Sequence, residues 1–130
     1  MDCRPVRVLT DTHTLVWALS APALLSSTAK KVLTKADVTV SAANLWELVL
    51  KMHRKQSLLA DPIPWWDKYV RDSNIAALSI RSAHVAALAH LPKIHKDPFD
   101  RILVAQSKVE NLPLVTKDAS LARYGTSIIW

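Results

Sequence analysis

Asp11, Glu47, Asp100 and Asp118 each fall where an apolar, strand-like run gives way to a helical pattern, or just inside that helix. In an open α/β sheet such positions share the rim along which ligands bind. The chain carries a formal charge of +6, so acids gathered on one rim call for a specific reason. Ionised carboxylates side by side raise one another's pKa unless a cation lies among them. Hard oxygen donors without thiolates suit Mg²⁺ or Mn²⁺. Taken singly, each acid also has a structural explanation. Asp11, Asp97 and Asp118 can cap helices, and Pro98 suits the first position of the helix that Asp97 would open. Asp100 fits the helix dipole there, and Glu47 can pair with Lys51 one turn on. Glu47 lies too far inside its helix to be a cap, and the coincidence of all four along one rim favours a shared site.

Other chemistries are excluded. Gly125 is the only glycine, so there is no GxGxxG turn and no Walker loop, and neither GxSxG nor HExxH occurs. The single cysteine, Cys3, allows no intramolecular disulfide or Cys-rich zinc site and fits a reducing compartment. No run approaches the ~18 apolar residues of a membrane span, and the first residues lack a secretion-signal layout. A soluble cytoplasmic protein with no membrane association is the expectation. The positive charge favours a polyanionic partner, or is simply a solvated basic face.

The elements that must position the acids alternate along the chain. Val6–Thr10 reads as a strand and Thr12–Leu19 as a helix. Ser26 or Ser27 caps a second helix with Ala29, Val32, Leu33 and Ala36 on one face. Val38–Val40 is a strand, followed by a helix from Ala42 to about Arg54 whose spacing buries Leu45, Leu48, Val49 and Met52. Asp61–Pro64 opens a helix with Trp66, Tyr69 and Val70 inward. Ala76–Ile80 is a weaker strand, and Ser82 caps a helix through Val85, Leu88 and Ala89. A basic loop over Pro92–Lys96 leads to a helix from Asp97 to Glu110. A strand at Leu114–Thr116, a short helix at Ala119–Tyr124 and a strand at Ser127–Trp130 close the chain. Strands separated by helices call for right-handed crossovers and a mainly parallel sheet covered on both faces. The expectation is one doubly wound α/β domain over residues 1–130. Asp11 and Asp118 converge if the first and fourth strands are neighbours. Asp100 joins them only if the loop before its helix bends the chain back from the opposite rim.

Four segments carry a resemblance: Leu9–Trp17, Val40–Glu47, His95–Gln106 and Leu114–Asp118. In this order and at these separations the chain resembles the PIN-domain VapC-type toxins of toxin–antitoxin pairs, over nearly its whole length. The resemblance implies a PIN fold with five strands ordered 3-2-1-4-5. It implies an Mg²⁺- or Mn²⁺-dependent endoribonuclease in which Asp11, Glu47, Asp100 and Asp118 hold the metal and carry the catalysis, leaving 5′-phosphate and 3′-hydroxyl ends. Asp97, Thr116 and Ser41 would support them, and the roles of His13 and His95 stay open. Arg101, Lys117, Lys96 and Lys93 flank the acids and are placed to hold RNA phosphates, with a second basic stretch at Lys51, Arg54 and Lys55. The resemblance further implies a homodimer and a VapB-type antitoxin laid over a groove. Of the aromatic and apolar stock (Trp17, Trp46, Trp65, Trp66, Leu58, Leu59), most belongs in the core and some would line that groove, Trp65 being expected to serve the partner and not the fold. Two alternatives stand beside this reading. One is a non-catalytic PIN-like module that binds RNA or protein. The other is a phosphotransfer or haloacid-type enzyme with Asp11 as nucleophile, which ordinarily wants an acid where this chain has His13.

Overall fold

A run of apolar residues buried on both faces is what a central parallel strand requires, and Val8 and Leu9 meet that requirement. In a computed structural model, which describes residues 6–73 and 75–130, both are fully buried within strand β1 (Arg7–Thr10). Val8 packs with Leu25, Ala29 and Val115 on one side of the sheet, and Leu9 with Leu103, Val104 and Leu114 on the other. The remaining strands are β2 (Asp37–Ser41), β3 (Ala76–Leu78), β4 (Leu114–Val115) and β5 (Ile128–Ile129). They form one sheet in the order β3-β2-β1-β4-β5 with every pair parallel. The chain thus leaves β1 first toward β3 and later toward β5. The β1/β4 seam is the reversal at which the carboxyl ends of two strands open a crevice. Cys3, on which the disulfide reading rests, lies outside the described residues.

Helices α1 (Thr12–Ser20), α2 (Ser27–Lys35) and α4 (Pro62–Tyr69) cover one face, while α5 (Ser82–Leu88) and α6 (Pro98–Glu110) cover the other. Their starts are fixed by capping side chains. Asp11 accepts from the Thr14 amide at 2.8 Å, Ser26 from Ala29 at 3.0 Å, and Asp97 from Phe99 at 2.8 Å with Pro98 first in the helix. Asn111 ends α6 in the left-handed region, at φ 55°. The segment Ala119–Tyr124 is a 3₁₀ helix, closed by Gly125 at φ 82°, a conformation that glycine adopts without strain.

Two helices are rotated from the faces their apolar spacing predicts. Helix α3 (Ala42–Leu50) stops four residues short of Arg54 and buries Ala43, Asn44, Glu47 and Leu48, while Val49 and Leu50 are exposed. In α5 the buried residue is His84, and Val85 is 52 % exposed. The start of α5 is held by the His84 ring, whose Nδ1 accepts from the Arg81 amide at 3.0 Å, and not by a Ser82 cap. In both cases a polar side chain with a full set of partners outcompetes an aliphatic one for the interior. Trp65 has a place in the fold. It is half-buried against Leu15, Val40 and Val70 and donates from Nε1 to Ser20 Oγ at 3.0 Å, so it serves the fold.

Asn44 ties the rim together. Fully buried, it donates from Nδ2 to the Thr10 carbonyl at 3.3 Å and to Thr12 Oγ1 at 3.1 Å, and its Oδ1 accepts from the Ser41 amide at 2.8 Å. The end of β1, the start of α1 and the end of β2 are therefore joined through one amide. Replacing Asn44 with Leu strips the Ser41 amide and Thr10 carbonyl of these buried partners and is expected to cost about 2–3 kcal/mol in urea unfolding. A cost below about 0.5 kcal/mol would show that these bonds do not hold the rim.

Candidate functional site

Asp11 closes β1, and both its oxygens are engaged. Oδ1 caps α1, and Oδ2 accepts from the buried Thr116 hydroxyl at 2.6 Å. The same Thr116 oxygen accepts from the Asp118 amide at 3.1 Å, so one hydroxyl couples the acids that leave adjacent strands β1 and β4. Asp118 Oδ1 takes the Ser120 amide at 3.0 Å and the Ser120 hydroxyl at 2.5 Å. Its Oδ2 lies 3.2 Å from His95 Nε2. Glu47 enters from α3, buried, with the Lys51 ammonium 2.6 Å from Oε2. Asp100 enters from the first turn of α6, with Oδ2 3.6 Å from His95 Nδ1. It reaches this rim because the chain between α5 and α6 bends back. The His95 amide donates to the Tyr124 hydroxyl at 2.7 Å, and Arg101 donates to the Pro92 carbonyl at 2.9 Å. Asp11, Glu47, Asp97, Asp100 and Asp118 line a single open cleft of about 350 Å³, with Thr12, His13, Trp17, Lys51 and Lys117. A larger recess of about 670 Å³, bordered by α1, α2 and the β2–β3 edge, has Asp37 as its one acid.

The supporting residues divide. Thr116 touches two of the acids, and Asp97 both caps α6 and lines the cleft. Ser41 lies one layer below, its hydroxyl donating to Gln106 Oε1 at 2.5 Å and accepting from the Ala43 amide at 2.9 Å. Of the flanking cations, Lys117 is exposed in the cleft and Lys93 and Lys96 are exposed on the α5–α6 loop. Arg101 is committed to Pro92 and stacks over the Tyr124 ring at 6.0 Å, so it braces the loop. Arg54 lines an adjoining recess with Glu47, Lys51 and His13. Sequence reading placed Lys51 in a basic stretch at a helix end and also as the i,i+4 partner of Glu47, and its ammonium takes the second role, on the cleft. It missed Ser120, although a serine two residues after a capping aspartate is a signal for a local hydroxyl bond.

Burial pushes the Asp100 carboxyl up to about 7, with the neighbouring charges of Asp97, Asp11 and Glu47 adding to the effect and His95 opposing it. Asp118 is held below the usual carboxylate range, chiefly by the Ser120 hydroxyl and amide. Burial and neighbouring charge thus disfavour ionisation at Asp100, while hydrogen bonds favour it at Asp118. The donor set fits a hard divalent cation. Carboxylates from four elements converge, the Lys51 ammonium already stands as a cation at Glu47, and His95, Asp100 and Asp118 present donor atoms within 4.8 Å of one another. Because the Asp100 pKa is raised on folding, its contribution to stability is full below about pH 4 and is lost as pH rises through about 7. Asp100→Asn is therefore expected to melt higher than the wild type at pH 8 in chelator, with the difference vanishing near pH 4. A difference independent of pH would contradict this electrostatic account.

The PIN domain family profile matches residues 8–126. No curated protein matches the chain. Among solved structures, VapBC2 from Rickettsia felis bound to a DNA fragment of its promoter aligns with a TM-score of 0.70 at 13 % identity, covering 95 % of this chain and 97 % of that one. DNA-bound VapBC from Salmonella typhimurium aligns with a TM-score of 0.67 at 12 % identity, covering 95 % and 96 %. FitAcB from Neisseria gonorrhoeae gives 0.66 at 16 % identity, covering 93 % and 95 %. At these identities the structures share the fold. The profile match spans almost the entire chain, and it is on that match that the protein belongs to the PIN domain family, whose members are generally nucleases.

Proposed function

We propose that this protein is an Mg²⁺- or Mn²⁺-dependent endoribonuclease acting as the toxin of a toxin–antitoxin pair. The observation that carries the reading is the convergence of Asp11, Glu47, Asp100 and Asp118, from four separate elements, on one cleft of a PIN domain. These four are the proposed catalytic and metal-holding residues. A bound divalent ion would supply the positive charge that offsets phosphoryl charge and would make water a better nucleophile. The protein's own groups supply position. Thr116 fixes Asp11 relative to Asp118, Ser120 keeps Asp118 ionised, and Asp97 holds the start of α6 so that Asp100 faces the cleft. Lys117 in the cleft, with Lys96 and Lys93 exposed on the α5–α6 loop, would give phosphate contacts that set affinity without choosing sequence.

The similar solved structures include VapBC complexes and a toxin–antitoxin complex from Klebsiella pneumoniae, which supports a VapB-type antitoxin as partner. A homodimeric toxin acting in the cytoplasm is part of the same proposal. Among the described residues no helix is long and apolar enough to cross a membrane. The competing reading is a module that grips RNA or protein and cuts nothing; the full set of acids argues against it.

The deciding experiment incubates the protein with total bacterial RNA, with and without Mn²⁺, beside Asp100→Asn, and maps new 5′ ends by sequencing. Discrete cuts bearing 5′-phosphates are expected, dependent on metal and reduced at least about 100-fold in the variant, more than loss of an outer partner usually costs. Ends carrying 2′,3′-cyclic phosphate would reject the hydrolytic mechanism. Metal binding without any cleavage would favour the binding module.

A further inference from the structure

His95 lies between two of the acids and contributes something they lack, a nitrogen donor. Its Nε2 is 3.2 Å from Asp118 Oδ2 and its Nδ1 is 3.6 Å from Asp100 Oδ2, so the ring spans the acids contributed by α6 and by the end of β4. Its side chain is 29 % exposed, open enough to meet an ion from solvent. The ring does not hang from a free loop. Its main-chain amide is fixed to the Tyr124 hydroxyl at 2.7 Å, and the Asp97 amide approaches Nδ1 at 3.4 Å. A surface histidine paired with one carboxylate would need none of this.

Building on the proposed metal-dependent activity, we infer that His95 is itself a metal ligand, binding the divalent ion through one imidazole nitrogen together with Asp100 and Asp118. Three observations support this. First, two ligand atoms bound at about 2.1 Å stand about 3.0 Å apart when adjacent on an octahedron and about 4.2 Å apart when opposite; the spacing at either nitrogen, 3.6 Å from Nδ1 to Asp100 or 3.2 Å from Nε2 to Asp118, falls in that interval, and one of the two belongs to the nitrogen that binds. Second, one donor atom each from His95, Asp100 and Asp118 lies within 4.8 Å of the others. Third, with Nδ1 on the ion, Nε2 is left as an N–H 3.2 Å from Asp118 Oδ2, a carboxylate partner of the kind that orients metal-bound imidazoles. The consequence is selectivity. An imidazole suits first-row transition ions, while Mg²⁺ favours oxygen donors, so the site prefers Mn²⁺ to Mg²⁺ and His95 is the residue that makes it do so.

The test uses the full chain and reads the metal directly. Mn²⁺ is titrated into wild type, His95→Gln and His13→Gln, followed by electron paramagnetic resonance, with pulsed spectra examined for coupling to ¹⁴N. The wild type and His13→Gln are expected to show the coupling. His95→Gln is expected to lose it and to bind Mn²⁺ roughly 10-fold more weakly, with Mg²⁺ affinity nearly unchanged. Labelling the wild-type histidines with ¹⁵N should convert the coupling to that of ¹⁵N, which tests the ligand even if His95→Gln folds poorly. Mn²⁺ bound without nitrogen coupling, or coupling that survives in folded His95→Gln, would overturn the assignment while leaving an all-carboxylate site intact. No Mn²⁺ binding at all would overturn the metal-dependent reading and this inference with it.

Discussion

The gathering of five carboxylates on one partly buried cleft is the constraint around which this molecule is arranged. Five acids line one cleft, and burial, with the charges of Asp97, Asp11 and Glu47 adding to it, raises the Asp100 carboxyl to about 7. The scaffold must hold these groups where they would not choose to be. It does so with hydrogen bonds that are themselves buried. The Thr116 hydroxyl bridges Asp11 and the Asp118 amide, and Asn44 binds the ends of β1 and β2. Lys51 and His95 place positive or polarisable groups against Glu47, Asp100 and Asp118. A divalent cation, as proposed for this site, would relieve what the fold imposes.

The sheet order makes the convergence possible. In a parallel sheet every strand delivers its carboxyl end to the same rim, and the reversal beside β1 puts the ends of β1 and β4 next to each other. Asp11 and Asp118 follow from that topology alone. Asp100 does not, because two helices stand between β3 and β4. The chain must descend along α5 and return before α6 begins, and the return is secured by Arg101 on Pro92 and by the Tyr124 hydroxyl on the His95 amide. These contacts hold His95 beside Asp100, which lines the cleft.

A polar network supports the same region from beneath. Gln106, fully buried in α6, accepts from Ser41 at the start of α3 and lies near the buried His84 of α5. His84 Nε2 is 2.8 Å from Glu110, which Arg81 also contacts, and these partners hold the Glu110 carboxyl below its ordinary range, His84 foremost. Three helices are thereby keyed to one another by directional bonds and not by shape alone. Satisfied polar groups of this kind specify a single packing, since any slippage leaves a buried donor or acceptor unpaired.

The alternation of strands and helices, the caps at Asp11, Ser26 and Asp97, and the placement of Asp11 and Asp118 at strand ends were legible in the chain because they depend on local preferences and on the period of apolar residues. The same period misled where the interior is polar. Spacing in α3 pointed to Val49 and Met52 and in α5 to Val85, yet Asn44, Glu47 and His84 take the inner face because tertiary partners complete their hydrogen bonds. No local rule could remove Ser41 to a lower layer or turn Arg101 toward its own loop. Those outcomes depend on groups tens of residues apart. The sequence by itself determined which residues could bear the chemistry and which elements would carry them. Only the tertiary structure decided which side chains meet, because burial, repulsion and hydrogen-bond completion act between elements and not along them.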